Sequence, residues 1–145
     1  MNVKAAIIVA PYSPIGSAFP NLGAARKIEL AVEVCSDLVD RVVLVNTAHN
    51  SDVKSGFIDR EVYIAGRRVR EICLPTFSRR VVGKFLNLFH IASALRLATF
   101  DGCPSFLWSY NAYAVETIFS YLVKKKFGVP VFLDFEDWHF ARSRR

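Results

Sequence analysis

The stretch from Pro104 to His139, PSFLWSYNAYAVETIFSYLVKKKFGVPVFLDFEDWH, constrains this chain more than any other. It reads as an apolar strand, a turn, an amphipathic helix with a basic end, a glycine, and a second apolar strand closing in carboxylates. A strand–helix–strand order of this kind is a parallel crossover, because parallel neighbours cannot be joined by a tight turn. In open α/β sheets, ligands bind outside the carboxyl ends of the strands. The acidic run Asp134 to His139 therefore falls where a site is expected. The chain stops at Arg145, soon after that edge, and the expectation is a domain that forms half of something larger.

The rest of the chain repeats the alternation. Val3–Ala10 is a continuous apolar run, as in a strand covered on both faces. A loop over Pro11–Gly23 leads to a helix over Ala24–Val39. Its apolar positions Ile28, Ala31, Val32 and Cys35 oppose Glu29, Glu33 and Asp37, and Asn21 is placed to cap it. Arg41–Thr47 reads as the second strand. After a polar loop over Ala48–Gly56, Ile58–Leu74 alternates around Ala65-Gly66, the pattern of a hairpin. Arg79–Thr99 is a helix apolar almost all round, hence expected deep in the core. Ser105–Tyr110 is a strand, Tyr113–Phe127 a helix closed by Gly128, and Val129–Phe135 the last strand. The class is α/β: one domain over residues 1–145, with a mostly parallel sheet, flanking helices and an inserted β-hairpin.

Length and composition suit this. A domain of 145 residues buries roughly two-thirds of its unfolded surface. With 52% hydrophobic residues against 22% charged, an ordered domain is expected, and the apolar excess suggests a face covered by another domain, a partner or lipid. The net charge is +6, gathered at Arg67, Arg68 and Arg70, at Arg79 and Arg80, at Lys124 to Lys126, and at Arg142, Arg144 and Arg145. Such clusters suit phosphates or anionic membranes, or are simply solvated ends. Cys35, Cys73 and Cys103 form no CxxC pair and have no histidine spaced beside them, so free thiols in a reducing compartment are expected and no metal site is. No secretory leader or membrane-spanning run is visible, so the expected location is the cytoplasm.

Four places carry candidate chemistry. The loop after the first strand, with Gly16 and Gly23 and then Arg26 in the first helical turn, lies where bare backbone N–H groups favour an anion; an ordinary connection is the alternative. It has neither GxGxxG nor GxxxxGK[ST]. At the acidic edge, Glu136, Asp137 and His139 have the make-up of a general acid–base set, and Trp138 offers a flat face for a sugar ring; alternatively, Glu136 or Asp137 caps a helix. Tyr110 and Asn111 suit the binding of hydroxyls, with Asn111 more simply the N-cap of the next helix. His49 and His90 stand alone, and His90 reads as a core or interface histidine. No GxSxG elbow and no nucleic-acid module is present, so nucleic acid is not an expected partner.

Taken in order, these features resemble the N-terminal domain of family 4 glycosyltransferases, enzymes of the two-domain GT-B fold. The resemblance rests on the glycine-containing first loop followed by Arg26, on DRVVLVNT, on the helix ending ALRLATF, on FLWSYN, and on YLVKKKFGVPVFLDFEDWH. It implies a Rossmann-like domain that binds the acceptor, a glycan or lipid-linked molecule, and no cofactor beyond a nucleotide-sugar donor held by a second domain. Gly16, Gly23 and Arg26 would then lie near the donor phosphates, and His139 or Asp137 near the reacting sugar. The first loop lacks the family's double glycine, and EDWH stands where many members have His-Asp or His-Glu. Without its C-terminal domain or a partner subunit the chain is expected to be inactive alone, perched on the inner face of an anionic membrane. The competing readings are a stand-alone Rossmann-like binding or scaffold domain, or one subunit of a split enzyme. An epimerase or oxidoreductase fragment is disfavoured by the missing GxGxxG.

Overall fold

A computed structural model describes residues 4–17, 20–48, 56–76, 80–111 and 113–135. Its elements run β1 (Ala5–Ala10), α1 (Leu22–Leu38), β2 (Arg41–Asn46), β3 (Ile58–Ile64), β4 (Arg67–Cys73), α2 (Arg80–Ala98), β5 (Phe106–Tyr110), α3 (Ala114–Phe127) and β6 (Val131–Asp134). The six strands form one sheet in the order β3-β4-β2-β1-β5-β6. Every neighbouring pair is parallel except β3 with β4. This is a Rossmann-like α/β fold with helices on both faces, as the alternating pattern predicts.

β1 lies at the centre, and its residues Ala6 to Ala10 are at most 1% exposed. That is why the sequence there is an unbroken apolar run rather than an alternation. On one face Ile8, Leu44 and Val69 pack beneath Ile28, Val32 and Cys35 of α1. On the other, Val9, Val45, Ile72 and Leu107 pack beneath Ile91 and Leu95 of α2 and Phe119 and Val123 of α3. Burying each such side chain contributes about 1.5–3 kcal/mol before the entropy of ordering is counted.

The helix ends follow their capping residues. Asn21 Oδ1 accepts from the Ala24 amide at 3.3 Å, so α1 begins at Leu22, two residues earlier than its apolar period suggests. Gly128 closes α3 in the left-handed region (φ 68°), its N–H donating to the Lys124 carbonyl at 2.8 Å. The hairpin turns on Ala65 and Gly66 as expected, both with positive φ.

Two expectations fail on packing. α2 is not deeply packed all round: Ile91, Ala94, Leu95 and Ala98 face the sheet, while Val82, Phe85, Leu86 and Phe89 are exposed. Helices of an α/β domain meet the sheet on one side only, so an apolar far side stays bare. β6 is shorter than the apolar run Val129–Phe135, and Phe132 and Leu133 are about half exposed, because β6 is the outermost strand on its side. Phe132 instead meets Phe106 edge to face at 5.8 Å.

Among the described residues no helix is long and apolar enough to cross a membrane. No group of three or more His, Cys, Asp or Glu among them could hold a metal ion. Cys35 and Cys73 are buried and Cys103 is exposed, and none of the three is in a disulfide. Burial pushes the Cys35 thiol up to about 11.

Candidate functional site

The sheet reverses its strand order beside β1. From β1 the chain proceeds through α1 on one face to β2 and then β4. From β5 it proceeds through α3 on the other face to β6. The loops leaving β1 and β5 diverge, and a crevice at the carboxyl edge between them is the general ligand position of open α/β sheets.

Near the carboxyl edge, in the first turn of α3, lies Glu116, only 3% exposed. Thr47, at the end of β2, donates its hydroxyl to Glu116 Oε1. The Thr47 amide donates to the Ala10 carbonyl at 3.0 Å, which fixes that carboxylate beside the end of β1. Ser120 binds the Glu116 carbonyl at 2.7 Å, one turn on.

On the α1 side a second polar cluster ties three strands together. Asn46 Oδ1 accepts from the amides of Tyr12 (3.0 Å) and Ala48 (2.9 Å). Its Nδ2 donates to the Tyr12 carbonyl (3.0 Å) and to Glu71 Oε1 (2.8 Å). All four hydrogen-bonding positions of the amide are thereby filled. Glu71, itself buried, takes Arg60 on Oε2 at 2.7 Å. Burial first, and the neighbouring carboxylates of Glu29 and Glu71 next, push the Tyr12 phenol above its ordinary value. Asn46 and Glu71 hold the β1 loop in shape, whereas Glu116 is tied by Thr47 to the end of β2.

The residues singled out from sequence are distributed as follows. Gly16 has φ 92° in a tight turn closed by Ser17 on the Pro14 carbonyl, and that backbone alone requires glycine. Gly23 lies in the first turn of α1, exposed, and a Cβ there would come no nearer than 4.0 Å to Asn21 Oδ1. Arg26 is 77% exposed and pairs with Glu29 at 3.1 Å along its own helix. Tyr110 is buried in the core under α1. Asn111 is left-handed (φ 62°) and its amide donates to the Asp134 carbonyl at 2.8 Å, so it joins β5 to β6; the N-cap of α3 is Tyr113. The topology thus gathers Gly16, Tyr110 and Asn111 at one edge and leaves Arg26 on the outside of α1. Glu136, Asp137, Trp138, His139 and His49 lie outside the described residues. His90 stacks edge to face on Phe57 at 5.7 Å.

Sequence reasoning missed Thr47, Glu71 and Glu116. The signals were faint but present. The apolar period Val115, Phe119, Val123 puts Glu116 on the buried side of α3, and the alternation Val69, Glu71, Cys73 puts Glu71 on the core face of β4.

The chain matches no protein-family model, and no curated protein matches it. Among solved structures it is similar to the C-terminal domain of a hydrogenase from Pyrococcus furiosus. The TM-score is 0.57 at 12% identity, over 92% of this chain and 91% of that one. A likeness at that identity shows the fold alone. The resemblance to family 4 glycosyltransferases is overturned: the structural likeness runs to a domain of a different protein, and no family or curated relative supports it. The physical reason is that its most telling motif is generic. Lys124 to Lys126 complement the negative end of the α3 dipole, Gly128 is the left-handed cap, and Pro130 precedes an edge strand. Any crossover of this geometry favours such residues, whatever the domain does. The shared element is the Rossmann-like α/β domain.

Proposed function

We propose that this chain is a Rossmann-like binding domain, standing alone or serving as one subunit of a larger assembly, that takes a polyhydroxylated small molecule in the crevice between β1 and β5. The observation that carries the reading is the buried Glu116 carboxylate at the topological switch point. A carboxylate only accepts hydrogen bonds, and Thr47 supplies one donor. Acidic side chains hold ribose hydroxyls in sheets of this kind, and Glu116 is the acid to which that role is assigned here. Glu71, also buried, is engaged by Arg60 and Asn46 and is assigned a structural part in holding the β1 loop.

The test is thermal unfolding with uridine or adenosine against the 2′-deoxynucleosides. A ribonucleoside at a hundred times its Kd stabilises by roughly 2.7 kcal/mol. The deoxy compound is expected to raise the melting temperature less. Glu116→Gln, which keeps the shape, is expected to remove the difference. Identical curves with and without millimolar ribonucleoside would refute the reading.

A further inference from the structure

We infer that the outer face of the α2–α3 layer docks on an anionic lipid surface. The two helices pack side by side over the same sheet face and against each other. Outward from α2 stand Val82, Phe85, Leu86 and Phe89, a stripe at helical spacing in which Phe85 is 66% and Phe89 82% exposed. Outward from α3 stand Ile118 and Tyr121. Large aromatic side chains are normally withdrawn from water, and a contiguous exposed group of them marks a binding surface.

Charge decides what it binds. α2 contains no acidic residue, and the single acid of α3, Glu116, is buried. The next acid in sequence after α2, Asp101, is held by Arg41 and Arg70. Among the residues whose side chains are described, the exposed charges of the layer are Arg96, Lys124, Lys125 and Lys126, and these lysines carry no ion pair. The hairpin arginines differ: Arg67, Arg68 and Arg70 are matched by Asp37, Glu61 and Asp59. α1 also exposes Leu30, Val34 and Leu38, but interspersed with Glu29, Glu33 and Asp37. Among the described residues, the α2–α3 face is the one that joins bare aromatics to unbalanced positive charge, the combination that binds the headgroup region of anionic bilayers. A second copy of the chain would bring the same positive face, on a molecule of net charge +6, against itself.

The experiment is co-sedimentation of the whole chain with vesicles of phosphatidylcholine alone or with about 30 mol% phosphatidylserine. Binding is expected only to the anionic vesicles and to weaken as salt rises. Phe85→Ser with Phe89→Ser is expected to lower the partition constant roughly tenfold, and Lys124, Lys125 and Lys126 to Gln by a similar factor. All these positions are exposed, and far-UV circular dichroism confirms that each variant folds. Equal binding to both vesicle types, no binding to either, or variants that bind like the parent would overturn the inference. Sedimentation velocity adds one more outcome: self-association abolished by the Phe pair, without vesicle binding, assigns the face to a second copy and equally overturns it.

Discussion

Ala65 sits at φ 50° in the two-residue turn between β3 and β4, followed by Gly66 at φ 74°. An L-residue with a Cβ is strained there by about 1–2 kcal/mol, and asparagine is the residue that tolerates the position. Ala65 is exposed, so nothing else is lost on replacing it. Ala65→Asn is therefore expected to stabilise the protein by about 0.5–1 kcal/mol and to raise the melting temperature by about 2–4 °C. An unchanged or lower midpoint would show that the turn carries no such strain. The same residue scale explains which local signals were readable. Asn21 and Gly128 announce helix ends because a cap is a nearest-neighbour matter. Glu116 and Glu71 were harder, because a carboxylate inside a domain is recognised by partners that lie far away in sequence: Thr47 in one case, Arg60 and Asn46 in the other.

At the scale of the element, the β3–β4 hairpin is fastened by charge as much as by its ladder. Arg70 donates to both carboxylate oxygens of Asp59, at 2.9 and 2.6 Å, and to Asp101 at 2.8 Å. The hydrogen bonding of the Arg70 guanidinium holds Asp59 below the ordinary carboxylate value, against the opposing effect of partial burial. With the folded value below the unfolded one, the native state binds fewer protons. The stabilisation is therefore complete above about pH 4 and is lost as pH falls through the native value. Asp59→Asn is expected to lower the urea midpoint at pH 7 and to flatten its decline below about pH 4; a decline as steep as the parent's would assign the acid sensitivity elsewhere. This strand pairing was legible because period-two alternation and a two-residue turn specify a hairpin locally. The exposure of α2 was not legible. An apolar residue has the same letter whether it meets the sheet or water, and only the packing of Ile91 and Leu95 reveals which side of the helix is which.

For the whole molecule, the alternation of elements was enough to read the α/β class and the parallel sheet, since each crossover dictates its neighbour. It did not separate one family from another, because the motifs that carried the resemblance are the residues any such crossover selects. The two borders of the sheet, finally, are unlike. β3 carries Asp59, Arg60 and Glu61 in exposed positions, charges that repel an incoming strand. β6 presents Phe132 and Leu133 half exposed, with Phe135 just beyond it. Among the described residues no strand pairs with the outer side of β6, and such a border is a template for another chain to extend. On concentration or mild heating the protein is expected to aggregate through β6, and Leu133→Lys to delay the onset of light scattering without moving the urea midpoint by more than about 0.5 kcal/mol equivalent. Were the lysine variant to scatter as early as the parent, the precipitating contact would lie elsewhere. A domain of this fold thus carries, along one flank, the means of its own coagulation.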